Sequence, residues 1–495
     1  MTTRVCMNLF SLVGMYKKTN LANFLNRLIL ILFFNAPSYA LVLNDNGQIS
    51  ATPVFHVVQV KAEADIISAL QSANKEHLHI AIMGKQHSQG GHSLSPQAIE
   101  LDMLLFNHVL AINTQTKQVT VQSGITWADL QTYINPYNLA IKSMQSPNIF
   151  TVGGSMSVNA HGDDFRAGAV GNSIVAFHLL LASGKKVLVT SATEPTLWAA
   201  VIGGYGLIGV VTDVTLQLTD NDWLKGGYQE VDMDKFPTYF NEKIASNKNI
   251  VLFYAHLNIV PGSKFLRTIY AITYTDTHQL PNKIIALDNP DKWNQLLTPL
   301  FNVSRQSPLG KAWRWAIERK IFSRLYENRV VTRNNAMEKP VRFASDHHSQ
   351  YNVDWLQEYF IPLNQLPKFI SILRTIMLSN KVNLLNVTIR YVPGETDILL
   401  SYAKTDCFAV VLYFNQRLSA DEIRVTQVWT RRLIDAALSL GGNYYLPYQS
   451  FASIKQFRRG YSGRDTFLNI KQHYDPTGLF SSKFYQHYFM STGHS

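Results

Sequence analysis

"IAIMGKQHSQGGHSLSPQAIELDML" (residues 80–104) sets a polar loop between two short strand-like runs. Ile80–Met83 is apolar throughout, as in a strand buried on both faces, and Ile99–Met103 alternates apolar with acidic residues. Between them stand Gly84, His87, Ser88, Gly90, Gly91, His92 and Ser93. His87 and His92 are not at helical i,i+4 spacing and have no carboxylate cluster beside them, so a zinc site would need ligands from elsewhere. Ser88 and Ser93 lack the small-x-Ser-x-small elbow of a serine nucleophile. Glycines and hydroxyls can cradle a pyrophosphate, because the backbone approaches closely and N–H and O–H groups bind anionic oxygens. Any tight loop shares this composition, so the loop taken alone decides nothing.

Outward from the loop, strands and helices alternate. "VFHVVQV" (54–60) reads as a strand and "EADIISALQSANKEH" (63–77) as an amphipathic helix. "HVLAINTQTKQVTVQSG" (108–124) is two strands around a polar turn, and "TWADLQTYINPYNLA" (126–140) a helix with Thr126 as N-cap. "IVAFHLLLASGKKVLVTSA" (174–192) is a hairpin turning at Ser183-Gly184, and "LWAAVIGGYGLIGVVTDVTLQLT" (197–219) a helix, a glycine-rich turn and a strand. Near residue 221 the style changes. Aromatic strands at 249–260, 265–275, 384–392 and 408–416 and amphipathic helices at 366–380 and 421–442 predict an α+β second domain. "FLNIKQHYDPTGLFSS" (467–482) is a helix closed by a Pro-Gly turn.

A chain of 495 residues exceeds what one core usually serves, so two domains are expected. The formal charge of +11 suits nucleic acid or an anionic surface, but the basic residues are dispersed and no nucleic-acid recognition motif accompanies them. The densest basic run, "KAWRWAIERKIFSR" (311–324), reads as an amphipathic helix presenting a solvated or cap-domain face, with a membrane-surface contact as the alternative. At the N-terminus, Lys17, Lys18 and Arg27 precede the apolar "LILILFF" (28–34) and the small-x-small Ser38-Tyr39-Ala40. This predicts a cleaved export signal over 1–40 and a periplasmic or secreted protein, an uncleaved anchor being the alternative. Cys6 leaves with that segment. Cys407 then stands alone in an apolar strand, which excludes an intramolecular disulfide and a cysteine metal site.

Two further segments repeat the glycine-and-hydroxyl theme: "TVGGSMSVNAHG" (151–162) and "GGYGLIGVVTDVTL" (203–216). The latter is not G-x-G-x-x-G between strand and helix, so it is no Rossmann fingerprint. In their order and spacing, the three segments resemble the FAD-binding domain of the vanillyl-alcohol oxidase/p-cresol methylhydroxylase (PCMH) family. "VTVQSGITWADLQTYI" is similar to that family's V-x-G-x-x-W-x-x-L segment, and "KQHYDPTGLF" to its C-terminal K-x-x-Y-D-P-x-x-L-F. The resemblance is closest to the alditol and aldonolactone oxidase branch.

The resemblance implies a two-part PCMH-type FAD-binding domain over 41–220 and 448–495, with an inserted α+β substrate domain over 221–447. It implies FAD held by Gly84, Lys85, Gln86, His87, Ser88, Gly91, His92, Ser146, Gly153, Gly154, Ser155, Ser157, His161, Gly162, Gly209 and Val210. His87, in "GKQHS", takes the place of the histidine that many members bond to the flavin 8α-methyl. The implied reaction oxidises the CH–OH of a small polyol, sugar or aldonolactone by hydride transfer to flavin N5, with oxygen or another acceptor taking the electrons. Arg390 matches an arginine of the substrate-facing strand, but Thr388 stands where the branch has glutamate and Tyr448 where it has lysine. The proton acceptor is therefore open among Tyr445, Tyr448, Glu358 and His161. No metal is implied. A hydrophobic or lipid-linked alcohol, and a non-enzymatic flavoprotein, are the competing readings.

Overall fold

The computed structural model describes residues 41–289, 292, 294–338, 347 and 349–490. The export signal expected over 1–40 lies outside them. Residues from Val42 onward form one compact unit. Its secondary structure mixes helices with mainly antiparallel sheets, which makes the fold α+β.

The opening loop joins two strands of a small parallel sheet, ordered His56–Gln59, Ile99–Asp102, Ile80–Met83. Helix Glu63–Glu76 covers it with Ile66, Ala69, Leu70 and Ala73. The Asp65 carboxylate accepts from the N–H groups of Lys61 and Ala62, holding the helix start. The C-terminal segment returns to the same sheet. The Ile80 N–H donates to the Leu479 carbonyl at 2.7 Å, and the Ser481 N–H to the Ile80 carbonyl at 3.0 Å. Asp475 makes that return rigid. Its carboxylate is paired with the buried Lys471 ammonium and accepts from the N–H groups of Leu479 and Phe480 at 2.8 and 2.9 Å. Lys471 also donates to the Phe480 carbonyl. The K-x-x-Y-D-P-x-x-L-F pattern is thus a charge-centred clamp that delivers Leu479 and Phe480 to the core.

Beside it lies an antiparallel sheet ordered Lys186–Val189, Ile174–Leu181, Gly209–Asp220, Gln118–Gln122, Val109–Asn113, with Leu139–Ile141 paired to the far end of Gly209–Asp220. The helix expected over 126–140 stops at Ile134. Pro136 opens a single 3-10 turn, Asn138 takes a left-handed φ of 54°, and residues 139–141 leave as a strand because their backbone pairs with 218–220.

The chain changes sheets between Asp220 and Trp223. An eight-stranded antiparallel sheet follows, ordered Val330–Thr332, Trp223–Asp232, Thr268–Asp276, Ile250–Leu257, Asn383–Val392, Cys407–Arg417, Asn352–Pro362, Asn443–Tyr444. Helices Leu366–Ser379 and Ala420–Ser439 pack on one face with their apolar stripes. Because side chains alternate along a strand, the opposite face carries Glu358 and Leu356, Arg390, Thr388 and Asn386, Val411 and Tyr413, and Tyr254 and His256. All of these line one cavity.

The basic run falls on helix Pro308–Tyr326 but does not form one solvated face. Lys311 and Arg314 are buried, donating to the carbonyls of Leu384 and Leu385. The register between strands 383–392 and 407–417 slips at that point, so these carbonyls need donors from outside the ladder. Trp315 packs inward from the same helix, while Trp313 points outward, 66% exposed. Apolar and charged residues therefore occur on both sides, and the helix is not amphipathic in the expected sense.

Candidate active site

A cavity of about 540 Å³ runs between the two glycine-rich sheets' loops and the open face of the eight-stranded sheet. Three segments far apart in sequence meet in its wall: 84–89 with His92 and Ser93, 145–158, and 204–209. Gly84, Lys85, Gln86, His87, Ser88, His92, Ser146, Gly153, Gly154, Ser157, His161 and Gly209 line it. Four other expected binding residues do not. Gly91 (φ +73°) packs against Lys483 and gives its N–H to Asp45 at 2.7 Å. Ser155 accepts from the Trp127 indole at 2.8 Å and donates to the Thr151 carbonyl. Gly162 lies against the Met144 carbonyl, and Val210 is in the core beneath the parallel sheet. These four shape the loops from behind.

The loop wall suits a large anionic, planar group. A Cβ at Gly90 would fall 2.5 Å from the Tyr448 carbonyl, so the loop can lie flat on that segment only without a side chain. The Gln89 N–H donates to the Pro447 carbonyl from the same contact. Ser93 Oγ and Gln89 Nε2 are buried cavity-side donors with no partner among the described residues. Buried donors of this kind call for an acceptor, as the oxygens of a pyrophosphate or ribityl chain supply.

The two histidines of the opening loop differ sharply. His92 is buried, stacks on Phe484 at 4.6 Å between centroids, and lies beside Tyr205. Burial pushes its imidazole down to about 3, so the ring is neutral. His87 is half-buried, lines the cavity and meets Phe150 edge-on at 4.8 Å.

A sequence profile of the FAD binding domain matches residues 55–190, which include the whole opening loop and the 151–162 segment. The chain is 24% identical to decaprenylphosphoryl-beta-D-ribose oxidase of Mycolicibacterium smegmatis, over 88% of this chain and 94% of the relative. It is 23% identical to L-gulonolactone oxidase of Bos taurus, over 86% and 93% respectively. It is also 27% identical to a putative D-arabinono-1,4-lactone oxidase of Neurospora crassa, over 38% and 34%. The chain carries an FAD-binding domain and is an FAD-dependent oxidoreductase. It is similar to aldonolactone oxidases and to a phosphoryl-ribose oxidase, and FAD is its cofactor.

In this flavoenzyme, the sheet face opposite the loops gathers the remaining polar groups. His161 Nε2 lies 2.5 Å from Glu358 Oε1, and both side chains are buried. The Tyr448 hydroxyl is hydrogen-bonded to Glu358. Burial, followed by the Glu358 charge, holds the Tyr448 phenol well above its ordinary pKa, and burial does the same for Tyr445. Both stay protonated, and Tyr445 is committed to the Val158 carbonyl at 2.9 Å. This removes the tyrosines as proton acceptors and leaves the His161–Glu358 pair. Arg390 places its guanidinium 3.5 Å from Asp163 and donates to the His161 carbonyl at 3.4 Å.

Sequence reasoning missed His256 and Asn386. Asn386, Thr388 and Arg390 are two residues apart and therefore share the cavity face, and His256 Nδ1 lies 3.1 Å from Asn386 Oδ1. The alternation in "NVTIRYV" could have shown the shared face. Pairing of Thr388 with His256 across 132 residues could not have been read from it.

Proposed function

We propose that this flavoenzyme oxidises a carbinol carbon of a polyhydroxy substrate, a sugar, polyol or aldonolactone, with 221–447 serving as its substrate domain. The observation that carries the reading is the buried His161–Glu358 pair in one cavity with the FAD loops and Arg390. FAD, when bound, supplies the hydride acceptor at N5 and passes the electron pair to oxygen or another acceptor. The His161–Glu358 pair takes the hydroxyl proton as the C–H leaves as hydride, so that CH–OH becomes C=O. Arg390 stabilises negative charge building on that oxygen. Asn386, Thr388 and His256 extend the polar wall and orient further hydroxyls. We further propose that His87 bonds the flavin covalently and that residues 1–40 direct export.

Visible spectra of purified protein before and after acid precipitation test the cofactor attachment. A flavin band that stays with the pellet, and is lost in His87→Ala, is expected. Free flavin in the wild-type supernatant rules the bond out. Anaerobic bleaching across an alcohol panel then tests the reaction, and no bleaching with any polyhydroxy alcohol overturns the substrate reading.

One observation favours a second reading. At the end of the cavity near helix 308–326, Leu297, Leu300, Phe301, Ile317 and Ile321 form an apolar part of the wall beside Arg314 and Glu318. An alcohol carrying a long apolar tail would fill it, and the relative named decaprenylphosphoryl-beta-D-ribose oxidase supports that class. Bleaching by alkyl-tailed polyols but not by short ones would select it.

A further inference from the structure

Helix Pro308–Tyr326 exposes an apolar stripe at every fourth position: Leu309, Trp313, Ile317, Ile321 and Leu325. Four-residue spacing keeps these side chains on one slowly winding face. Leu309 is 73% and Trp313 66% exposed, a large apolar surface to leave in water. The same face carries Lys320 and Arg324, both exposed and with no ion pair among the described residues. The helix's acidic member, Glu318, is about three-quarters buried, lies 3.2 Å from the buried Arg314 and lines the cavity. An ordinary solvated helix face mixes charges of both signs. This one combines apolar anchors, an exposed tryptophan and cations alone.

We propose that this face docks on an anionic lipid surface. Leu309, Trp313, Ile321 and Leu325 would enter the headgroup–acyl boundary, where the amphipathic indole is favoured. Lys320 and Arg324 would reach lipid phosphates, their aliphatic stems lying along the apolar stripe. The formal charge of +11, still positive without the four basic residues of 1–40, adds a long-range attraction of the same sign. Among the described residues no helix is long and apolar enough to cross a membrane, so the contact is a surface one. Ile317 and Ile321 belong both to the stripe and to the cavity wall, so docking brings that end of the cavity to the lipid. The inference does not depend on which alcohol is oxidised.

The test uses the full flavin-loaded chain with phosphatidylcholine vesicles, brominated in the acyl chains, with and without phosphatidylglycerol. With phosphatidylglycerol present, part of the tryptophan emission is expected to be quenched. Trp313→Phe should remove that part, and Leu309→Asp combined with Leu325→Asp should lower it about tenfold or more, with melting temperature and flavin content unchanged. High salt should weaken it. Equal quenching in the wild type and Trp313→Phe overturns the proposal, because Trp313 then never meets acyl chains. Equal quenching with and without phosphatidylglycerol overturns its anionic part. A dimer in vesicle-free solution that Leu309→Asp dissociates also overturns it, assigning the face to a second copy of the chain.

Discussion

His161 Nε2 and Glu358 Oε1 stand 2.5 Å apart although 197 residues separate them in the chain. One comes from the segment after helix Val152–Ser157 and the other from strand Asn352–Pro362, the last but one of the eight-stranded sheet. Both side chains are buried in the wall of the cavity that the FAD loops share. Glu358→Gln keeps the shape and a hydrogen bond but removes the carboxylate. The expected result is a fall of about 10²–10⁴ in the anaerobic rate of flavin bleaching, with flavin content unchanged. His161→Asn should cost a similar amount, and the double variant much less than the product of the two, because the groups act as a unit. Stopped-flow absorbance checks this, and an unaltered rate in Glu358→Gln removes the pair from the chemistry.

Arg390 is expected to act on the reacting oxygen as well as on Asp163. Arg390→Lys retains a cation but loses the planar fork, so kcat/KM should fall about 10²-fold. Asp163→Asn, which leaves Arg390 in place, should change it far less. Steady-state kinetics separate the two, and equal losses would mean that Arg390 only balances Asp163.

Glu100 gives a pH-dependent stability. It is fully buried in strand Ile99–Asp102, and burial raises its carboxyl to about 8 from the ordinary 4.5, against the opposing hydrogen bond from the Ser95 N–H. The folded state therefore holds a proton that the unfolded chain releases between those values. The stability of the neutral carboxyl is complete below pH 4.5 and is lost as pH rises to about 8. Glu100→Gln keeps the acceptor for Ser95 without the titration. Its stability advantage over wild type should be small at pH 4.5 and grow to about a few kcal/mol at pH 8, measured by denaturant unfolding at each pH. An advantage that is constant with pH would contradict this origin.

Lys471→Met should break the C-terminal clamp and leave the Asp475 carboxylate buried without its cation, destabilising the fold by about 3–5 kcal/mol. Replacing both, Lys471→Met with Asp475→Leu, should recover part of the ion-pair loss but not the two backbone hydrogen bonds to Asp475. Thermal unfolding of the three proteins checks the order. A single variant as stable as wild type would show that the pair does not hold the terminus.

The parts legible in sequence are those in which chemistry is local. The glycines of 84–91 and 203–206 answer to backbone conformation and close approach. The strands of 249–276 and 384–416 answer to period-two alternation. Gly91, Ser155, Gly162 and Val210 were indistinguishable from their cavity-facing neighbours, because a loop's composition does not say which side of it faces the ligand. The basic run misled for a related reason. A buried lysine and arginine look like solvated ones until the slipped register at Leu384–Asn386 exposes carbonyls for them to cap.

By itself, the sequence determined the glycine-rich turns, the alternation of elements and the C-terminal helix closed by its Pro-Gly turn, since each rests on interactions within a few residues or on a fixed period. Only the tertiary structure decided that His161 meets Glu358, that the tyrosines are held protonated, and that helix 308–326 turns its apolar stripe outward. Those outcomes depend on which distant strands share a sheet face and on how deeply each group is buried, and neither is encoded at any single position.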